Sequence, residues 1–145
     1  MQISGARNQF RQFRWDAAAA RWADVVGPIT QERLKQEAPV GKGPGAGRLR
    51  DSIRHERHVG AGNAQLVFTA DTPYVRYVLD GTGPHVIRPR KARALRWQGP
   101  AGPRFAQVVH HPGTRANPFP ERAVRPLLPL IQARFSEIVS AKLRG

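Results

Sequence analysis

A chain of 145 residues is most simply one domain, long enough to bury roughly 70% of the surface its unfolded form exposes. It has no cysteine, which excludes thiol catalysis, disulfide frameworks and cysteine-ligated zinc. Twenty-four Lys and Arg against ten Asp and Glu leave a net charge of +14, so an isolated copy repels itself and attracts polyanions, either nucleic acid or an acidic protein surface.

No apolar run approaches the ~20 residues that span a bilayer, and the first six residues lack signal-peptide anatomy, so the chain reads as a soluble protein with no membrane partner. Residues 6–26 read as a helix. The run from Ala17 has the best available helix propensity, and Trp15, Trp22, Val26 and Ile29 recur at spacings that keep them on one face. Gly27-Pro28 interrupts this pattern, so Pro28 either kinks the helix or opens a second one reaching Lys35. Ala38-Pro39 ends the helical region, because the residue before proline is driven out of the α region. The loop VGKGPGAG, residues 40–47, has glycines and Lys42 but lacks the spacing of a phosphate-binding loop.

Strand signals follow. Ile53, His55, Arg57 and Val59 alternate with Ser52, Arg54, Glu56 and His58, residues 60–63 make a turn, and Leu66, Phe68 and Ala70 return on one face as a hairpin. Asp71 or Thr72 is placed to cap a short helix opened by Pro73, with Tyr74, Val75, Val78 and Leu79 facing inward and a turn at Asp80-Gly81-Thr82. Residues 85–88 read as a strand, residues 89–93 as a basic tip, and residues 94–97 and 105–110 as a strand pair joined by GPAGP. The segment HPGTRANPFP is a rigid, extended connection. The last helix starts near Glu121, is disturbed at Pro126 and Pro129, and runs to Leu143 with Leu128, Ile131, Phe135, Ile138 and Leu143 as its buried stripe. The fold class is α+β: an N-terminal and a C-terminal helix packed on a small, mostly antiparallel sheet with long loops. The expected layout is a single domain over 1–145, with helix in 1–37, a β-rich core in 38–120 and helix in 121–145.

The histidines do not assemble into a site. His55 and His58 fall on opposite faces of one strand, and His110-His111 point apart in an extended segment without a nearby carboxylate to orient either ring. Asp71 and Asp80 look like caps rather than an acid-base pair. Neither a cofactor nor a catalytic residue is indicated, and the chain is expected not to be an enzyme.

The charge is better organised than the catalytic groups. Between residues 81 and 120 there is no Asp or Glu, yet Arg88, Arg90, Lys91, Arg93, Arg96, Arg104 and Arg115 are present. Trp97 and Phe105 sit among them. Two readings stand: the rings belong to the core while the arginines face solvent or an acidic partner, or the rings serve stacking while the arginines bind phosphates. The second describes a sequence-independent nucleic-acid-binding protein that uses arginine-rich loops.

Several motifs, in order, resemble a known family. They are Ala38-Pro39-Val40; Gly47-Arg48-Leu49-Arg50-Asp51-Ser52-Ile53; a Tyr-rich stretch from Tyr74 ending in Gly81-Thr82; His85, then Ile87-Arg88-Pro89 and Lys91; and Val109-His110-His111-Pro112-Gly113-Thr114 with Pro118-Phe119. This series resembles the small tail-completion, or head-tail joining, proteins of long-tailed bacteriophages, over roughly residues 38–124. Two departures stand out. The 40–47 loop is longer than usual and lacks an acid, and Leu79 stands where Glu is common, with Asp80 adjacent. The resemblance implies a structural protein of the virion neck, made in the host cytoplasm. It further implies a homo-oligomeric ring of about six or twelve copies, touching other neck and tail proteins and non-specifically the packaged DNA. Lys42, Arg88, Arg90, Lys91, Arg93, His111, Arg115 and Phe119 are the expected contacts with neighbours. Pro39, Gly47, Leu49, Ile53, Tyr74, Gly81, Thr82, Pro89, Pro112 and Gly113 are the expected structural positions.

Overall fold

The protein is described from a computed structural model covering residues 15–42, 45–60 and 63–144. The start of the expected N-terminal helix, residues 6–14, lies outside the described residues. The fold is α+β, with helices at both ends of the described chain and short antiparallel strands between them. The strands form three two-stranded ladders rather than one continuous sheet. The chain divides into two compact units, one made of residues up to Pro73 together with Phe119 onward, the other Tyr74–Pro118.

The first unit is built on helix α1, Trp15–Glu37, which runs through Gly27-Pro28 without a break. Proline inside a helix removes one backbone donor, here the partner of the Asp24 carbonyl, but Asp24 and Pro28 lie on the exposed side where water can replace it. Gly27 has a different reason to be there. A Cβ at this position would come within 2.6 Å of the His55 ring, so the missing side chain lets a strand lie against the helix. The buried stripe of α1 consists of Ala19, Ala23, Val26, Thr30 and Leu34, whereas Ile29, expected on that face, is mostly outside it. Three and four residues separate successive members, as one helical face requires.

The β1–β2 hairpin lies on an adjoining line of α1, where Ala20, Asp24, Gly27 and Gln31 meet it. β1 is Ile53–Gly60 and β2 is Asn63–Ala70, paired antiparallel with Ile53 opposite Ala70, His55 opposite Phe68 and Arg57 opposite Leu66. The alternation in the sequence is thus realised, with this face turned to α1. His55 Nδ1 lies 2.6 Å from Gln31 Oε1, and its ring tilts against Phe68. Two residues along, Arg57 reaches Asp24 at 2.8 Å and the Ala20 carbonyl at 3.4 Å. A short helix α2, Arg48–Ser52, precedes β1 and takes in Ser52, which the alternation had placed in the strand.

The other side of α1 meets two C-terminal helices, α4 over Phe119–Val124 and α5 over Leu128–Arg144, joined by a 3-10 turn at Arg125–Leu127 that absorbs Pro126. Ala18 and Ala19 of α1 and Ala123 of α4 are all buried, and small side chains allow helices to approach closely. The principal partner of α5 is α1 rather than the hairpin. Trp22 donates its indole N–H to the Ile131 carbonyl at 3.1 Å and meets Phe135 edge-on. Trp22→Phe removes this bond and shrinks the ring, so it is expected to lower stability by at least about 1 kcal/mol, read as a lower urea midpoint. The stripe expected on α5 is only partly covered: Leu128 and Phe135 are exposed and Leu143 is 68% exposed.

The second unit contains α3, Val75–Asp80, and the strands β3, His85–Ile87; β4, Leu95–Gly99; β5, Gly102–Ala106; and β6, Val109–His111. The N-cap of α3 is Tyr74, without a side-chain capping bond, rather than Asp71 or Thr72. β6 does not continue β5. The chain bends at Gln107, and β6 pairs with β3, placing His85 opposite His111 and Ile87 opposite Val109. None of the described residues of this unit is buried, so it has no side-chain core.

Candidate functional site

Without a core, the second unit is closed by its backbone. Thr82 and Thr114 exchange both amide-to-carbonyl bonds at 3.0 Å, and their hydroxyls lie 3.0 Å apart. The Thr114 amide also reaches the Thr82 hydroxyl, and the Asn117 amide donates to the Val78 carbonyl at 2.9 Å. This clasp joins the Gly81-Thr82 and Pro112-Gly113-Thr114 motifs, 32 residues apart. It explains both glycines. Gly81 has φ 73° and Gly113 has φ 89°, the left-handed region that side chains rarely adopt. A Cβ on Gly81 would lie 2.5 Å from the Thr114 carbonyl oxygen, and one on Gly113 would strike the Thr82 carbonyl oxygen.

The histidines of the β3–β6 ladder support the same closure. The His85 and His111 rings stack with centroids 5.0 Å apart. His111 Nδ1 accepts the Gly113 amide at 3.0 Å, holding the turn at Pro112 in place. His111 therefore orders the clasp. Among the described residues no three His, Asp or Glu side chains gather as a metal site would require.

Beyond the clasp the unit is a cationic surface. Tyr74–Pro118 carries seven Arg and one Lys against the single acid Asp80, and Asp80 lies 3.7 Å from Arg76 in the next turn of α3. Arg88, Arg90, Lys91, Arg93, Arg96, Arg104 and Arg115 are all exposed, and among the described residues none has an acidic partner. Arg90, Lys91 and Arg93 occupy the bend that leads into β4. Pro89, at the start of that bend, is half-buried.

The β4–β5 hairpin projects rings as well as charge. Its register sets Arg96 opposite Phe105 and Trp97 opposite Arg104, and the turn is closed by Gly99 opposite Gly102, tighter than the GPAGP loop expected from sequence. Directly opposed residues share a face, so each face carries one ring and one arginine. The Arg96 guanidinium carbon sits 6.0 Å from the Phe105 ring centroid. On the other face the Arg104 stem lies over Gly99, in the space a Cβ would fill. Phe105 is 65% exposed and Trp97 42%. Neither ring belongs to a core.

The remaining expected positions lie in the first unit. Lys42 is exposed just after Pro39. Phe119 is 3% exposed, part of the core with Ala123, which leaves it no surface to offer a neighbour. Leu49 and Ile53 are buried, and Gly47 takes φ 84° at the start of α2. Sequence reasoning missed the clasp as a unit. The repeated Gly-Thr dipeptide, at 81–82 and 113–114, was the available signal.

A family model described as "Bacteriophage HK97-gp10, putative tail-component" matches residues 8–81, just over half of the chain. The match takes in the Ala38-Pro39-Val40, Gly47 to Ile53 and Tyr74 to Gly81 motifs. No curated protein matches, and no solved structure does.

Proposed function

The chain belongs to the HK97-gp10 family of bacteriophage tail components, and on that premise we propose that its copies form a ring that completes the tail and joins it to the head. One observation carries this reading beyond membership. The second unit buries no side chain and presents seven cations without acidic partners among the described residues, yet its backbone is locked by the Thr82–Thr114 clasp. A segment so constructed gains its buried surface from neighbours, as loops and arms of assembled subunits do. In a closed ring these like charges crowd together, so acidic surfaces of adjoining neck or tail proteins, or passing DNA, offset them. The protein acts by shape and charge in the virion, after synthesis in the host. No helix among the described residues is long and apolar enough to cross a membrane.

The test is electron microscopy of particles assembled with this gene intact and deleted. Full heads and finished tails lying apart in the deletion, and rejoined when the purified protein is added, are the expected outcome. Normally joined virions without the protein would refute the joining role. Arg90→Glu combined with Arg93→Glu is expected to leave the circular dichroism spectrum unchanged while blocking rejoining. Normal yields of joined particles from that variant would remove the bend before β4 from the contact surface.

A further inference from the structure

We propose that the β4–β5 ribbon, with the basic bend before it, is a sequence-independent binding surface for duplex DNA. The inference goes beyond the ring and holds wherever in the virion the protein sits. It starts from the exposed rings. Apolar side chains on both faces of an isolated two-stranded ribbon, with no core under either, are placed for a partner.

Charge identifies the class of partner. Each ring is opposite an arginine, and there is no carboxylate from Gly81 to Pro120. A second copy of this chain is a poor counter-surface. Of its ten acids, Asp24, Glu37, Asp51, Glu56, Asp80 and Glu137 already lie beside Arg or His within the chain. Shape then favours a duplex. A two-stranded ribbon fits the major groove, about 12 Å wide, and cations on both its faces reach the phosphates of both groove walls. The ribbon tip, Pro100-Ala101, is uncharged, and the only side-chain amide on the ribbon is Gln98. With Arg96 and Arg104 turned to phosphates and one amide left for base edges, binding carries no sequence preference.

The probe is a mixed-sequence duplex of about 30 base pairs, titrated with the full chain by fluorescence anisotropy at several salt concentrations. Affinity is expected to fall steeply with salt. Arg96→Gln with Arg104→Gln is expected to reduce the slope of log K against log salt by about 2, and affinity at 0.1 M salt by roughly 60-fold, as two lost phosphate contacts imply. Arg96→Lys with Arg104→Lys keeps the charges and is expected to restore the slope, which separates charge from misfolding. Lys142→Gln with Arg144→Gln removes two charges from the end of α5 and is expected to change the slope by less than half as much. An equal effect of that control would make binding a property of net charge and overturn the assignment. So would absence of duplex binding, or displacement of the duplex by polyglutamate at equal charge, which would point to an acidic protein instead.

Discussion

Gly113→Ala is expected to open the second unit while leaving the first folded. Two effects act together. The backbone at Gly113 has φ 89°, where an L side chain costs roughly 1–2 kcal/mol, and the new Cβ meets the Thr82 carbonyl and Gly83 backbone. Backbone cannot swing aside as a flexible side chain can, so the Thr82–Thr114 bonds must lengthen, and the total exceeds about 3 kcal/mol. The unit has no buried side chain to offset that loss. Hydrogen exchange reads it directly: the Thr82, Thr114 and Asn117 amides, all donors in the clasp, are expected to lose protection. Gly83→Ala is the control. Its Cβ would meet nothing within 4 Å and its φ is not in the left-handed region, so protection there is expected to stay within the error of wild type. Unchanged exchange in Gly113→Ala would show that the clasp does not hold the unit together. If the proposed joining role holds, the same variant is expected to fail in rejoining heads and tails, because the basic bend and ribbon lie between the two halves of the clasp in sequence.

What could be read from the sequence depended on whether a signal was local. The β1–β2 hairpin was legible because alternation has only two faces, and His55, Arg57 and Val59 keep to the one that turns to α1. The α5 stripe was legible as a pattern but not as burial: periodicity marks a face, and what covers it depends on other parts of the fold, which leave Leu143 largely open. Gly27-Pro28 reads locally as a break. The helix continues because packing on both sides of it, the hairpin across Gly27 and the C-terminal helices opposite, outweighs penalties of about 1 kcal/mol for the glycine and about 3 kcal/mol for Pro28. Residues 105–110 read as one strand because nothing in Gln107-Val108 punctuates it. The bend there follows from β6 pairing with β3, a contact between residues more than 20 positions apart. Of the candidate contacts, the exposed cations were visible from composition alone. Phe119 was not separable from them, since a Pro-Phe-Pro segment before a helix looks the same whether its ring faces in or out.

Leu49→Ala is expected to destabilise the first unit strongly. Leu49 is 2% exposed, and its neighbours in sequence turn it inward. Gly47 takes a left-handed conformation that ends the 40–47 loop, and its carbonyl accepts the Asp51 amide at 2.8 Å. The Ser52 hydroxyl then donates to the Leu49 carbonyl at 2.8 Å, which closes the turn and delivers buried Ile53 to the first position of β1. The buried Leu49 and Ile53 of the Gly-x-Leu-x-x-Ser-Ile pattern thus tie the start of the hairpin into the first unit. Removing three carbons from a closed site is expected to cost about 2–5 kcal/mol, a large part of the roughly 5–15 kcal/mol that holds a domain. The urea midpoint should fall with the slope unchanged, since the surface exposed on unfolding stays the same. Leu49→Met conserves volume and is expected to stay within about 1.5 kcal/mol of wild type. A loss below 1 kcal/mol in Leu49→Ala would mean that the hairpin is held to α1 chiefly through Gly27, His55 and Arg57, and that the α2 turn is only a connection.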